Sequence, residues 1–201
     1  HVREILPTAE IWRGYGPVRA LPRADADLDN LSVVDAAGTS IPLMGFLDET
    51  YTDGFLVLKN GGISYERYFN GMDHRTLHLS QSMSKSFVGM TAGILASRGL
   101  LDVNAPVTAY LPELEQTGWR GATLQQVLDM TTGTRFSEDY VNPYSDVGQM
   151  DVASDWKPVP PDSDASFKWP RHMWELITGL TETVRGHGDL FAYRSVETDV
   201  L

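Results

Sequence analysis

An α+β fold, with strands early in the chain and helices after them, is what this sequence predicts. Two observations carry it. Asn60-Gly61-Gly62 separates the β-rich runs Phe55-Leu56-Val57-Leu58 and Ile63-Ser64-Tyr65-Glu66-Arg67-Tyr68-Phe69, and from Ser82 the apolar pattern changes to a helical one. Asn-Gly between two such runs signals a hairpin, because both turn residues must accept positive φ. Strands that precede helices, rather than alternate with them, give the α+β order.

Taken in order, residues 1–50 read as an irregular N-terminal arm, rich in Gly, Pro, Arg and Asp, with apolar residues in ones and twos. The antiparallel hairpin occupies 55–69. Phe87, Met90, Ile94 and Leu95, interleaved with Gly89, Ala92, Gly93 and Ala96, predict a helix that is apolar nearly all round and therefore buried, with Gly99 as its stop. Between Leu100 and Leu114, Pro106 and Pro112 allow only a short, turn-rich helix. Thr123 and Gln126 form a Thr-x-x-Gln capping box that opens a short helix ending near Gly133. Residues 134–168 carry Pro143, Pro158, Pro160 and Pro161 and read as a long loop, of a kind that is often functional. Helix returns from Trp169 to about Glu182, and Gly186-His187-Gly188 breaks it.

Composition limits the chemistry. The 201 residues are 42% apolar and 10% aromatic, enough for a sizeable core, and no apolar run approaches the roughly 20 residues that span a bilayer. Sixteen Lys and Arg against 27 Asp and Glu give a net charge of -11, a field that repels phosphate backbones. Neither a nucleic acid nor a membrane is therefore expected as partner. With no Cys there is no thiolate nucleophile, no disulfide and no Cys-bound metal, and the redox compartment stays open.

Motifs narrow it further. There is no G-x-S-x-G elbow and no phosphate-cradling Gly-rich loop after a strand. His74 and His78 stand four apart, but Arg-Thr-Leu lies between them without the Glu of a zinc hydrolase, so no metal or other cofactor is expected. What remains is Ser82-Met83-Ser84-Lys85, an S-x-x-K. With 14 Ser and 4 Lys, chance supplies roughly 0.3 such pairs, and a second one, Ser154-Asp155-Trp156-Lys157, does occur. Context separates the two. Ser154 and Lys157 run into Pro158 in a loop, whereas Ser82 opens a helix, where residues three apart share a face. A serine hydroxyl needs a neighbour to take its proton before it attacks, and the positive end of a helix favours a developing oxyanion. The pattern alone leaves two readings of Ser82 and Lys85: nucleophile and base, or a serine near an N-cap with a snorkelling lysine. Tyr193, after a Gly-rich break and before a helix start, offers a phenol for proton transfer, although pattern alone favours a core aromatic with a satisfied hydroxyl.

Three stretches in this order, Ser82-Met83-Ser84-Lys85-Ser86-Phe87, Leu100 through Leu114, and Tyr193-Arg194-Ser195, resemble the serine β-lactamase-like family of penicillin-binding proteins, class C β-lactamases, class VIII esterases and 6-aminohexanoate-dimer (nylon-oligomer) hydrolases. The resemblance covers roughly residues 55–201. Its nearest branch is the 6-aminohexanoate-dimer hydrolases, through Glu138-Asp139-Tyr140-Val141-Asn142-Pro143, Trp156 and the run from Tyr193 to Leu201. It implies a β-lactamase/transpeptidase-like fold, an antiparallel sheet flanked by helices plus a helical lobe over about 82–201. It implies a hydrolase of a small linear amide, with a class VIII-type carboxylesterase or a non-catalytic ligand-binding member as alternatives. Ser82 would be the acyl-accepting nucleophile, Lys85 its base partner and Tyr193 the proton shuttle. Tyr140 and Trp156 would line the cleft beside Ser195, and Asp151 would face a substrate amine. Class C enzymes carry Tyr-x-Asn where this chain has Tyr193-Arg194-Ser195, which points away from β-lactam hydrolysis. The family's Lys/His-[Thr/Ser]-Gly strand is not in this sequence. Residues 51–201 are therefore expected to be an incomplete domain, inactive by themselves, with a C-terminal segment as partner, continuous or as a separate chain. The family suggests a cytoplasmic location.

Overall fold

Asp35 sets the first turn: its carboxylate accepts the N–H groups of Ala37 (2.9 Å) and Thr39 (2.7 Å). This local bonding, a habit of Asp in turns, brings β1 (Ser32–Val34) antiparallel to β2 (Ser40–Pro42). The computed structural model describes residues 4–6, 8–9, 11–12 and 14–201. They fall into two compact units, one over Ala9–Leu79 and one over Ser80–Leu201 with the first described residues of the chain.

In the first of these, Pro42 leads into α1 (Leu43–Glu49), which buries Leu43 and Leu47. The hairpin follows as predicted, β3 (Gly54–Lys59) against β4 (Gly62–Tyr68), with Phe55 opposite Arg67 and Val57 opposite Tyr65. Its turn residues Asn60 and Gly61 have φ of 51° and 78°, the positive pair that Asn-Gly accepts. Tyr65 is buried and donates its hydroxyl to Asp29, while the Arg67 guanidinium lies 4.7 Å from the Tyr65 ring centroid. The stretch 32–49, expected to be irregular, thus holds a small hairpin and a helix. Three-residue strands are too short for alternation to register, and α1 buries only two residues.

The second unit opens with a 3-10 turn at Gln81–Met83 that runs into α2 (Ser84–Ser97), and Gly99, at φ 71°, ends it. Two further 3-10 turns, Val107–Ala109 and Pro112–Gln116, stand where a turn-rich helix was expected. The Thr123 capping box is present in both directions and starts α3 (Leu124–Leu128). This helix stops earlier than Gly133, because Met130 turns to φ 52°. The predicted long loop contains α4 (Asp146–Ala153), capped by Ser145, which accepts from Gly148 N–H at 3.1 Å. The last predicted helix shrinks to α5 (Met173–Gly179), because the His172 ring caps its start by accepting Glu175 N–H at 3.2 Å. α6 (Glu197–Val200) closes the chain. Leu114, Trp119, Val127, Ile177 and Val196, each at most 2% exposed, form the heart of the core.

One element departs from expectation in burial. α2 was expected to be buried, yet Ala92 is its one buried residue, and Met83, Phe87, Met90 and Ile94 are 49–67% exposed. Their spacing puts them on one face. Hydrophobicity states what a helix favours as neighbour, and these residues find little of it here. No helix among the described residues is long and apolar enough to cross a membrane.

Candidate active site

Gln81 has φ 46°, an uncommon conformation for a residue with a side chain, and it immediately precedes Ser82. The tight turn that results is held by Met83 N–H to Ser80 O (3.0 Å) and by Ser84 Oγ to Gln81 O (2.6 Å). It lifts Ser82 to the surface at the positive end of α2. Lys85, three residues on, shares the face of Ser82 and donates from Nζ to Ser82 Oγ at 3.1 Å.

Tyr193 reaches the same oxygen from 111 residues away, its hydroxyl donating to Ser82 Oγ at 2.7 Å. Lys85 Nζ lies 5.6 Å from the Tyr193 ring centroid. Burial alone would push the Tyr193 phenol up. Its contacts with Ser82, Lys85 and Ser195, together with the charge of Lys85, outweigh burial and hold it below the ordinary tyrosine value. Lysine and tyrosine therefore converge on one serine oxygen, and Tyr193 is no core aromatic but a 39% exposed one.

A second group stands beside them. Glu138 accepts both from the Tyr140 hydroxyl and from the Ser195 N–H, with Ser195 Oγ a further donor at 3.4 Å. The Glu138 bond, then burial, raise the Tyr140 phenol above its usual range, opposite to Tyr193. Glu138 had no role assigned from sequence, and its place in the run Glu138-Asp139-Tyr140 was the only signal. The other two candidates stand apart from these bonds. Asp151, on α4, pairs with Lys157 Nζ at 2.6 Å, and its carbonyl accepts Trp156 N–H at 2.9 Å. Trp156 is 40% exposed on the turn that follows. The second S-x-x-K is no pair at all, since Ser154 Oγ donates to Asp151 O (3.2 Å) and Lys157 goes to the Asp151 carboxylate. In the other unit, His78 bonds Asp53 (3.0 Å) and Leu79 O (3.2 Å) rather than His74. Among the described residues no three His, Cys, Asp or Glu are grouped to hold a metal ion.

Comparison with known proteins gives the same direction. The Beta-lactamase family model matches residues 47–175. The chain is 37% identical over 201 residues to the 6-aminohexanoate-dimer hydrolase of Paenarthrobacter ureafaciens, covering 98% of this chain and 47% of that protein. A Bacillus anthracis structure provisionally described as a 6-aminohexanoate-dimer hydrolase superposes with a TM-score of 0.76 at 29% identity, over 91% of this chain and 47% of that one. A class C beta-lactamase mutant shares the fold, at a TM-score of 0.53 and 16% identity over 79% of this chain and 40% of its own. The chain thus spans about half the length of the relatives it matches.

Proposed function

The chain belongs to the Beta-lactamase family, and from that premise we propose that the protein carrying it is a serine hydrolase of small linear amides, working through an acyl-enzyme on Ser82. The observation that carries the reading is the single oxygen, Ser82 Oγ, met by both Lys85 Nζ (3.1 Å) and the Tyr193 hydroxyl (2.7 Å). Ser82 Oγ attacks the carbonyl carbon while its proton passes to the Lys85–Tyr193 pair. The Ser82 N–H, at the positive end of α2, is the proposed donor to the oxyanion. Collapse breaks the C–N bond, and Tyr193 returns the proton to the leaving amine. Water then attacks the ester, its proton taking the reverse route, and frees the acid.

The linear-amide preference is drawn from likeness to the 6-aminohexanoate-dimer hydrolase. Tyr140, held by Glu138 next to Ser195, is the proposed contact to the scissile amide, and Trp156 a wall of the cleft. Asp151 is the proposed partner of a substrate amine, which would have to compete with Lys157 for it. A fluorophosphonate probe is expected to label the whole protein and not its Ser82→Ala variant. Equal labelling of the two, or none of either, would overturn the reading. Turnover of a nitrophenyl ester without any linear amide would move the assignment to a carboxylesterase.

A further inference from the structure

Tyr193 belongs to no helix or strand, so something else must hold its phenol to Ser82. On one side, Ala192 N–H donates to Met130 O at 3.0 Å. On the other, the Arg194 guanidinium donates from Nη1 to Thr132 O at 3.0 Å and back to Ala192 O at 3.4 Å. Arg194 is 2% exposed, and a guanidinium so buried needs a counter-charge. Glu197, 0% exposed, supplies it, with Oε1 4.0 Å from Arg194 Nη1. The same carboxylate accepts from Trp119 Nε1 at 2.9 Å and from Thr132 Oγ1.

Thr132 is the hinge of this arrangement, since its hydroxyl goes to Glu197 and its carbonyl to Arg194. Burial pushes the Glu197 carboxyl up, and the bonds from Thr132 and Trp119 and the Arg194 charge counter it in part. Burial likewise lowers Arg194, with Arg185 as the other cation that acts on it. An apolar pair would fill this space without desolvating two charges. What the charges add is direction, on the residues either side of Tyr193.

We propose that Glu197 is a positioning residue: through Trp119, Thr132 and Arg194 it sets the backbone that carries Tyr193, and with it the reach of the phenol to Ser82 Oγ. The inference rests on the proton-relay role proposed for Tyr193. Nothing in it requires Glu197 to touch substrate.

Glu197→Gln in the whole protein tests it, with ester turnover normalised to Ser82 sites counted by fluorophosphonate labelling. Displacing a catalytic group by a fraction of an ångström to 1 Å is expected to lower kcat about 10- to 100-fold, with KM within about 3-fold of wild type. The ascending limb of the kcat/KM pH profile should move to higher pH, because a phenol drawn away from Ser82 and Lys85 loses the contacts that lower it. Thr132→Val should lower kcat and shift the limb in the same way, and Thr132→Ser, which keeps the donor, should restore both. A folded Glu197→Gln with wild-type kcat and pH profile overturns the inference. If that variant does not fold, equal rates and profiles for Thr132→Val and Thr132→Ser overturn it instead. Wild-type protein unlabelled at Ser82 would overturn the hydrolase reading and this inference with it, an outcome distinct from either.

Discussion

Ser82 Oγ accepts from two donors at once, so in the proposed mechanism one of them must shed a proton before it can take the serine's own. The downward shift of the Tyr193 phenol makes the tyrosine a fitting candidate for that step. Tyr193→Phe removes it and is expected to lower kcat about 10²- to 10⁴-fold, the usual share of a positioned acid–base group. Because the side chain is 39% exposed, melting temperature should hardly change, and steady-state kinetics with a parallel thermal scan check both halves. At this scale the lysine was legible from spacing, and the tyrosine only through the family resemblance. Helical period alone brings Ser82 and Lys85 together, whereas Tyr193 arrives from a distance in sequence that no local spacing encodes. The false S-x-x-K makes the same point, since Ser154 and Lys157 match the pattern but both turn to Asp151.

Capping shows how far local chemistry dictates an element. Thr123 Oγ1 accepts Gln126 N–H at 3.2 Å and Gln126 Oε1 accepts Thr123 N–H at 2.9 Å, as their spacing predicts. Thr123→Ala is expected to cost about 1 kcal/mol, read from denaturant unfolding. In the other unit, the Asp53 carboxylate and the Leu79 carbonyl raise His78 above its ordinary value of 6.5. A raised histidine contributes stability that is full below its unfolded pKa and lost as pH rises through the folded one. Asp53 is lowered, chiefly by Asn70 and His78, so its share is lost instead as pH falls through its own folded pKa. NMR titration of the His78 ring should give a midpoint above 6.5 that falls in Asp53→Asn. Elements that the sequence left as loop, α1 and α4, are short, and one is started by Ser145 and the other after Pro42. A single cap or a proline before seven or eight residues is a signal too common to single out.

At the scale of the molecule, the core of the second unit gathers Leu114, Trp119, Val127, Ile177 and Val196 from five separate stretches of chain. Leu114→Ala, at a site 0% exposed, is expected to destabilise that unit by about 2–5 kcal/mol, measured by denaturant unfolding. The core and the site share a boundary. Val196 and Val200 bury their side chains next to Glu197, and the segment they anchor carries Tyr193 at its head. Gly133 has a comparable role, since a Cβ there would collide with the Arg185 carbonyl, and Val184 N–H donates to Gly133 O at 2.8 Å in the same close approach. The β-lactamase/transpeptidase-like fold implied by the resemblance is the fold found, in a chain that covers 47% of the hydrolase it matches at 37% identity.

The sequence by itself determined the hairpin at Asn60-Gly61, the capped start of α3, the i, i+3 spacing that brings Lys85 to Ser82 where a 3-10 turn runs into α2, and, through motif order, the family. These are matters of local stereochemistry and of short patterns, complete within a few residues. Only the tertiary structure decided that Tyr193 meets Ser82, that Glu138 joins Tyr140 to Ser195, that Asp151 is held by Lys157, and that Glu197 lies buried against Trp119, Thr132 and Arg194. Such contacts arise when distant segments close on a common core, and a charged residue in a sequence carries no mark of whether that closure leaves it in water or takes it inside.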